Sequence, residues 1–440
     1  MTMKEYEHII QGGTYITMDP QYRTLEDHFM LIDAGRIVDI LPMTELQDFK
    51  AKAYTDAADC LITPGFINAH SHLPMSYFRG WADDLPLHIW LKDQIWPLEA
   101  KMLAGDFVFD ASLHGAAEMI RHGITLTNDM YFYVDRIADA CSIAGLRVIV
   151  GEGIIEPEYL GDLSVFKRRV QALKDRYQDN PLVDCCIAPH AIYTCSKEVL
   201  KACTTAAAEN NWMIHTHLSE NQSEVEDCLK HHGERPVDYL AGLGFLEAHC
   251  VFAHGVWLDS EEIKTLAQAK AAVALCTDSN LKLSNGFVPV KEMLEQNLNL
   301  AMGTDGVASN NNLDILEELS TTAKLHKALN HDPVLLPARE AFALLTIEGA
   351  RALNRAHDLG SLEAGKWADL CLIDTNNLQS QPLYNPYSHL VYSMGSEQIR
   401  DVMIAGDWVM KNKKLQHLNE ADLIEKAKQY KNTIISKMES

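Results

Sequence analysis

The chain has 440 residues, more than a single hydrophobic core usually fills, so one large domain and a smaller one are expected. A formal charge of −23 opposes phosphate backbones and anionic membranes, which argues against nucleic-acid or lipid-surface work. With 47% hydrophobic and 22% charged residues it reads as an ordinary folded protein, and no apolar run reaches the length of a membrane span.

The N-terminal residues Lys4, Glu5 and Glu7 form no signal-peptide core, which points to the cytoplasm. Ten cysteines agree with that: Cys185 and Cys186 are adjacent, no C-x-x-C occurs, and most lie in apolar runs, as small buried hydrophobes do in a reducing compartment. Residues 6–60 alternate apolar and polar, with turn signals at Gly12-Gly13 and Ala34-Gly35. Residues 361–415 do the same around Ala405-Gly406-Asp407. Both read as short strands, so residues 1–60 and 361–418 are expected to form a β-sandwich built from the two chain ends.

Residues 61–360 have another rhythm. Strand-like runs end at His70-Ser-His72, Thr127-Asn-Asp129, Ile149-Val-Gly151, Ala188-Pro-His190, His215-Thr-His217, Phe252-Ala-His254, Ala274-Leu-Cys276 and Gly303-Thr-Asp305. Stretches between them, such as Asp106–His122 and Ser260–Lys270, have helical spacing of apolar residues. Roughly eight such units over about 290 residues predict an α/β fold, a (β/α)8 TIM barrel, whose active site lies at the C-terminal ends of the strands. Polar and ionisable residues gather at those ends. Residues 419–440 read as a helical tail.

His70 and His72 follow an apolar run at spacing i, i+2, so in a strand both rings share one face. An isolated His-x-His is more often a pair of packed loop histidines. Here further candidates stand at other strand ends: His217 with Glu220, His254, and Asp305. Three imidazoles and a carboxylate suit a zinc-like ion and leave room for water, whose pKa a bound zinc lowers to about 7. Glu220 lies one turn beyond His217, near enough to move protons. His215 shares the strand face of His217, and spacing does not tell which of the two binds metal.

Seven segments then carry a family resemblance: Pro64-Gly-Phe-Ile-Asn-Ala-His-Ser-His72, Arg79-Gly-Trp-Ala-Asp-Asp-Leu-Pro86, Ile95-Trp-Pro-Leu-Glu99, Ala188-Pro-His190, His217-Leu-Ser-Glu220, Ser279-Asn-Leu-Lys-Leu283 and Gly303-Thr-Asp-Gly-Val-Ala-Ser-Asn310. Nearly end to end, the chain resembles the amidohydrolase superfamily, and within it the methylthioadenosine/S-adenosylhomocysteine deaminases. The resemblance implies one divalent metal on His70, His72, His217 and Asp305, zinc first and iron or manganese next, with His254 orienting a metal-bound water. It implies attack on the purine carbon bearing the amino group, with Asp305 taking the water's proton and Glu220 protonating the neighbouring ring nitrogen. Glu99 matches a carboxylate that accepts from ribose hydroxyls, and His190 a histidine that touches the heterocycle. The expected partner is therefore a small nucleoside, with no nucleic acid or membrane; homo-oligomers are common among such relatives. Trp81, Trp90 and Trp96 lie in one region and could form an aromatic wall or simply pack.

The sequence departs from the family at Gly151-Glu-Gly153, where Glu152 falls about where one branch has an arginine near the sugar. That leaves the 5′ group open among 5′-methylthioadenosine, S-adenosylhomocysteine, adenosine and other 5′-modified adenosines. A histidine and proline common before the Ser-Asn-Leu-Lys run are replaced by Leu275-Cys-Thr-Asp278. Gly360-Ser-Leu-Glu-Ala-Gly-Lys366 imitates a phosphate loop, but Trp367 stands where Ser or Thr should be, so it reads as a turn. Neither P-C-x-x-C nor H-E-x-x-H occurs, and Cys185-Cys-Ile-Ala-Pro-His190 has no lysine to bridge two metals. Deamination of a free base or pterin (guanine or cytosine type), triazine dechlorination and a non-catalytic barrel scaffold remain alternatives. Glu99 favours a nucleoside, and the complete ligand set disfavours a scaffold.

Overall fold

The computed structural model describes residues 4–156 and 165–439, in two compact units. One comprises Met1–Ile67, Ala117–Leu126 and Asp314–Leu418; the other comprises Asn68–Ala116, Thr127–Leu313 and Asn419–Ser440.

A parallel sheet of nine strands carries the chemistry-bearing residues. In chain order its main strands are β1 (Phe66–His72), β2 (Ile124–Tyr131), β3 (Arg147–Ile154), β4 (Val183–Pro189), β5 (Ile214–Leu218), β6 (Cys250–His254), β7 (Ala272–Leu275) and β8 (Asn299–Met302). Neighbours in sequence are neighbours in the sheet, and the two-residue strand Asp305–Gly306 pairs with β1. The single stretch 299–306 therefore pairs with β7 at its start and with β1 at its end. Parallel strands need covering on both faces, so they are written as continuous apolar runs. Every residue of β1, β2, β5, β6 and β7 is buried.

Helices connect the strands. Gly105–Arg121 and Ser260–Gln268 fall close to the stretches read as helical. Ser260–Gln268 begins with a capping box between Asp259 and Glu262, Gln222–His232 is capped by Asn221, and Lys197–Asn210 by Ser196. Glu420–Glu439 is the helical tail, where Tyr430 donates to Asp110 at 3.0 Å.

In the first unit, a four-stranded sheet contains Arg36–Pro42, His28–Asp33, Glu5–Gln11 and Lys50–Asp56 in that order. A seven-stranded sheet draws on both chain ends, with Leu370–Asp374 antiparallel to Cys60–Pro64 and to Ile399–Ile404. One buried cluster takes Ile10, Met30 and Ile32 from the first sheet and Ile62, Leu370 and Met403 from the second. The segment imitating a phosphate loop is a turn here: Lys366 Nζ donates to the carbonyls of Ala356 and Leu359, and Gly365 has φ 88°. All ten cysteines are free and buried. Among the described residues no helix is long and apolar enough to cross a membrane.

The apolar run from Leu61 to Ala69 looks like one strand in sequence. The chain instead breaks it at Gly65, leaving Cys60–Pro64 in the seven-stranded sheet and β1 in the nine-stranded one. A Cβ on Gly65 would lie 2.2 Å from Thr125 Oγ1, on a short branched side chain that cannot swing away. Gly65→Ala is therefore expected to lower unfolding stability by about 1–3 kcal/mol, read from urea denaturation with an unchanged m-value.

Candidate active site

Strand ends deliver each group. β1 supplies His70 and His72, β5 supplies His215 and His217, His254 ends β6, and Asp305 pairs in register with Ser71 of β1. Gly303 permits the close approach, since a Cβ there would lie 2.9 Å from that of His70. One ligand-capable atom from each of His70, His217, His254 and Asp305 lies within 4.8 Å of the others, all four residues being buried. His72 Nε2 is 3.2 Å from Asp305 Oδ1 and 3.4 Å from His217 Nε2, and His70 Nε2 is 3.3 Å from the same oxygen.

The far side of each ring is committed. His72 Nδ1 donates to Met130 O at 2.5 Å and His217 Nδ1 to His190 O at 2.8 Å. A carbonyl can only accept, so both rings carry hydrogen on Nδ1 and turn Nε2 to the cluster. His254 Nδ1 meets Asn280 Oδ1 at 3.0 Å, and His70 Nδ1 meets His215 Nε2 at 2.9 Å. The ambiguity left by sequence spacing ends here: His217 faces the cluster and His215 stands behind His70. Asp305 Oδ2 accepts from Ser279 Oγ at 2.6 Å and Ser309 Oγ at 2.8 Å, and Oδ1 from Gly306 N at 2.7 Å. Ser219, His254 and Asp305 have φ of 47°, 74° and 60°, left-handed backbone that costs non-glycine residues roughly 1–3 kcal/mol each.

Burial and neighbouring charges compete at this cluster. Burial would raise the Asp305 carboxyl, but His70 and His72 beside it hold it well below the usual carboxylate range. Burial opposes charge on His72 too, yet Asp305 and the Met130 carbonyl lift it to about 9. Burial pushes His70 down to about 4 and His217 well below its ordinary value. His70 Nε2 is buried without a hydrogen-bond partner, and the set of imidazole nitrogens and a carboxylate oxygen is what a divalent cation of zinc type accepts. The residues fit such an ion.

The amidohydrolase family profile matches residues 61–409. The chain belongs to the amidohydrolase family. It is 41% identical over 425 residues to the 5-methylthioadenosine/S-adenosylhomocysteine deaminase of Thermodesulfovibrio yellowstonii, covering 95% of this chain and 97% of that protein. It is 40% identical over 402 residues to the 5′-deoxyadenosine deaminase of Methanothermobacter thermautotrophicus, covering 90% and 92%. Among solved structures, a zinc-bound adenosine deaminase from Xanthomonas campestris superposes with a TM-score of 0.95 at 35% identity, covering 98% of this chain and 99% of that one.

In this amidohydrolase a cavity of about 70 Å³ opens on the cluster, lined by Glu99, His190 and Glu220 among others. Small-molecule sites usually offer about 300–1,000 Å³. Trp96 and Tyr193 line this cavity and two larger ones of about 1520 and 740 Å³, so they stand between the cluster and the roomier space. Trp90 also lines the inner cavity, whereas Trp81 lines none of the three. His190 Nδ1 bonds Thr194 Oγ1 at 3.0 Å, and burial takes its ring down to about 3. Glu220 Oε2 lies 4.0 Å from His254 Nε2, Oε1 accepts from Asn285 Nδ2 at 3.0 Å, and burial raises its carboxyl. Glu152 pairs with Arg169 of the helix Val165–Tyr177 and lines only the 1520 Å³ cavity, while its neighbour Gly153 lines the inner one.

Sequence reasoning missed two side chains. Tyr131 donates to Glu99 Oε1 at 2.5 Å, and its position two residues after Asp129 on one strand was the available signal. Asn285 comes from a loop and gave no signal.

Burial raises Glu99 from 4.5 to about 7. The folded chain thus holds a proton there that the unfolded chain releases near pH 4.5, and stability falls as pH rises through that window. Glu99→Gln, which still accepts from Tyr131, is expected to remove about 2 kcal/mol of this fall, measured by urea unfolding at about pH 5 and about pH 8.

Proposed function

We propose that this amidohydrolase deaminates an adenosine-type nucleoside by hydrolysis, releasing ammonia and the inosine analogue. What carries the reading is one cavity lined by His217, His254 and Asp305 of the cation cluster and by two carboxyls, Glu220 and Glu99. The proposed ligands are His70, His72, His217 and Asp305, for zinc by preference and for iron or manganese as well. Such an ion supplies Lewis acidity and brings the pKa of a water to about 7.

The remaining steps belong to the chain. His254, its Nδ1 committed to Asn280, turns Nε2 toward the attacking water and orients it. Asp305, kept ionised, receives the water's proton. Glu220, its carboxyl raised by burial, gives a proton to the ring nitrogen beside the attacked carbon, which absorbs the electron pair as oxygen adds. Asp305 then passes the water's proton to the amino group, which leaves as ammonia with the C–N electron pair, while the adduct's hydroxyl proton is given up and restores Glu220. Glu99 accepts from the ribose diol; Tyr131 already occupies Oε1, so Oε2 faces the sugar. His190 contacts the heterocycle.

The fold completes this reading. Pairing of 299–306 with both β7 and β1 supports a closed (β/α)8 barrel over residues 61–360 as the catalytic domain. The core cluster common to the two smaller sheets supports a sandwich of residues 1–60 and 361–418, followed by the tail at 419–440. Both relatives named for purine nucleosides are about 40% identical, which favours a nucleoside over a free base or a triazine.

Ammonia release by the zinc-loaded protein tests the reading. The panel is adenosine, 5′-deoxyadenosine, 5′-methylthioadenosine and S-adenosylhomocysteine against adenine, guanine, cytosine and a chlorotriazine. At least one adenosine is expected to reach a kcat/KM of about 10⁴ M⁻¹s⁻¹ or more. Glu220→Gln should cut kcat by about 10²–10⁴-fold while the metal stays bound. Inert adenosines beside a reactive free base would overturn the substrate reading.

A further inference from the structure

The rings of His72 and His217 are held from behind by the backbone carbonyls of Met130 and His190, which no side-chain substitution at those two positions removes. His70 differs: its far nitrogen meets a side chain, His215 Nε2, at 2.9 Å. The two rings stand edge to face, 4.9 Å between centroids at 85°, and both residues have no exposed surface. His215 is itself fixed. Asn128 Nδ2 lies 3.0 Å from His215 Nδ1 and 3.0 Å from Ala69 O. Ala69 O can only accept, so Asn128 turns its amide nitrogen this way, against the back of the His215 ring.

We infer that His215, held by Asn128, is a positioning residue for the metal site: it sets the ring plane of His70 and, through it, the aim of His70 Nε2. This rests on the proposed ligand role of His70. His215 contributes no atom to the cluster and does not line the cavity, and burying a hydrogen-bonding ring in a strand interior costs more than an apolar residue of the same size would. Partners behind a metal ligand typically change metal affinity by about 10–100-fold when removed.

Two substitutions separate positioning from packing, because a glutamine amide reaches the place of imidazole Nε2 and an asparagine amide only that of Nδ1. His215→Asn keeps the contact with Asn128 and loses the one with His70; His215→Gln keeps the reach to His70. The measurements are zinc affinity by chelator competition, the visible spectrum of the cobalt-substituted protein, and Tm after metal stripping. His215→Asn is expected to bind zinc about 10–100-fold more weakly with an altered cobalt spectrum, and His215→Gln to recover most of both. Asn128→Ser, which frees the back of His215, gives the same test if either variant fails to fold, with a smaller loss expected. Equal affinities and unchanged cobalt spectra in all variants would overturn the inference, as would losses that merely follow Tm. Because metal binding is read directly, a wrong nucleoside assignment leaves this result intact.

Discussion

A carboxylate buried in protein must have positive charge beside it, and Asp305 is that carboxylate. An isolated ionised group in a dry interior costs far more than a domain's whole stability, so it is neutralised or paired. Asp305 is kept ionised at rest, because two serine hydroxyls and the Gly306 N–H donate to it and two imidazoles lie against Oδ1. The left-handed backbone at Asp305 and the bare Gly303 before it are the local conditions for bringing this group against β1. Everything else at the strand ends answers the same requirement.

The parallel sheet answers it economically. Each strand end lies beside the next, so the carbonyl of one can take the N–H of a ring on another: Met130 on β2 serves His72 on β1, and His190 just beyond β4 serves His217 on β5. His190 works twice, since its carbonyl also accepts from the His217 N–H while its ring lines the cavity. Substituting His190 would alter the cavity wall and leave the carbonyl in place. Aim and wall are thereby separable.

How legible this was depends on which residues were local. The strand-end histidines and Asp305 could be read because an apolar run followed by a ligand type at period two is a signal contained in a few residues. The helices Gly105–Arg121 and Ser260–Gln268 could be read for the same reason, from periodicity and caps. The break at Gly65 could not, because Thr125, whose side chain forbids a Cβ there, lies on another strand. Nor could the choice between His215 and His217, which share one face of β5 and are told apart only by what stands beyond each ring. Asn285 belongs to the same class, a partner chosen by the fold rather than by neighbours in sequence.

A further consequence lies in how the carboxyls divide. Asp305 is held low by the imidazoles beside it, while Glu99, Glu220 and Glu224 are raised by burial, Glu99 and Glu224 to about 7. Glu224 accepts the backbone N–H groups of Ser219 and Glu220, so it shapes the turn that carries Glu220 into the cavity. The site thus pulls its buried carboxyls in opposite directions, the kind of split that lets one group take a proton while another gives one. Neither state is a property of the residue type. Asp305 and Glu220 are both buried carboxyls: at the first, His70 and His72 outweigh burial, and at the second, burial outweighs the pull of His254 and Asn285. Moving a positive charge from the Asp305 side to the Glu220 side would reverse the two directions.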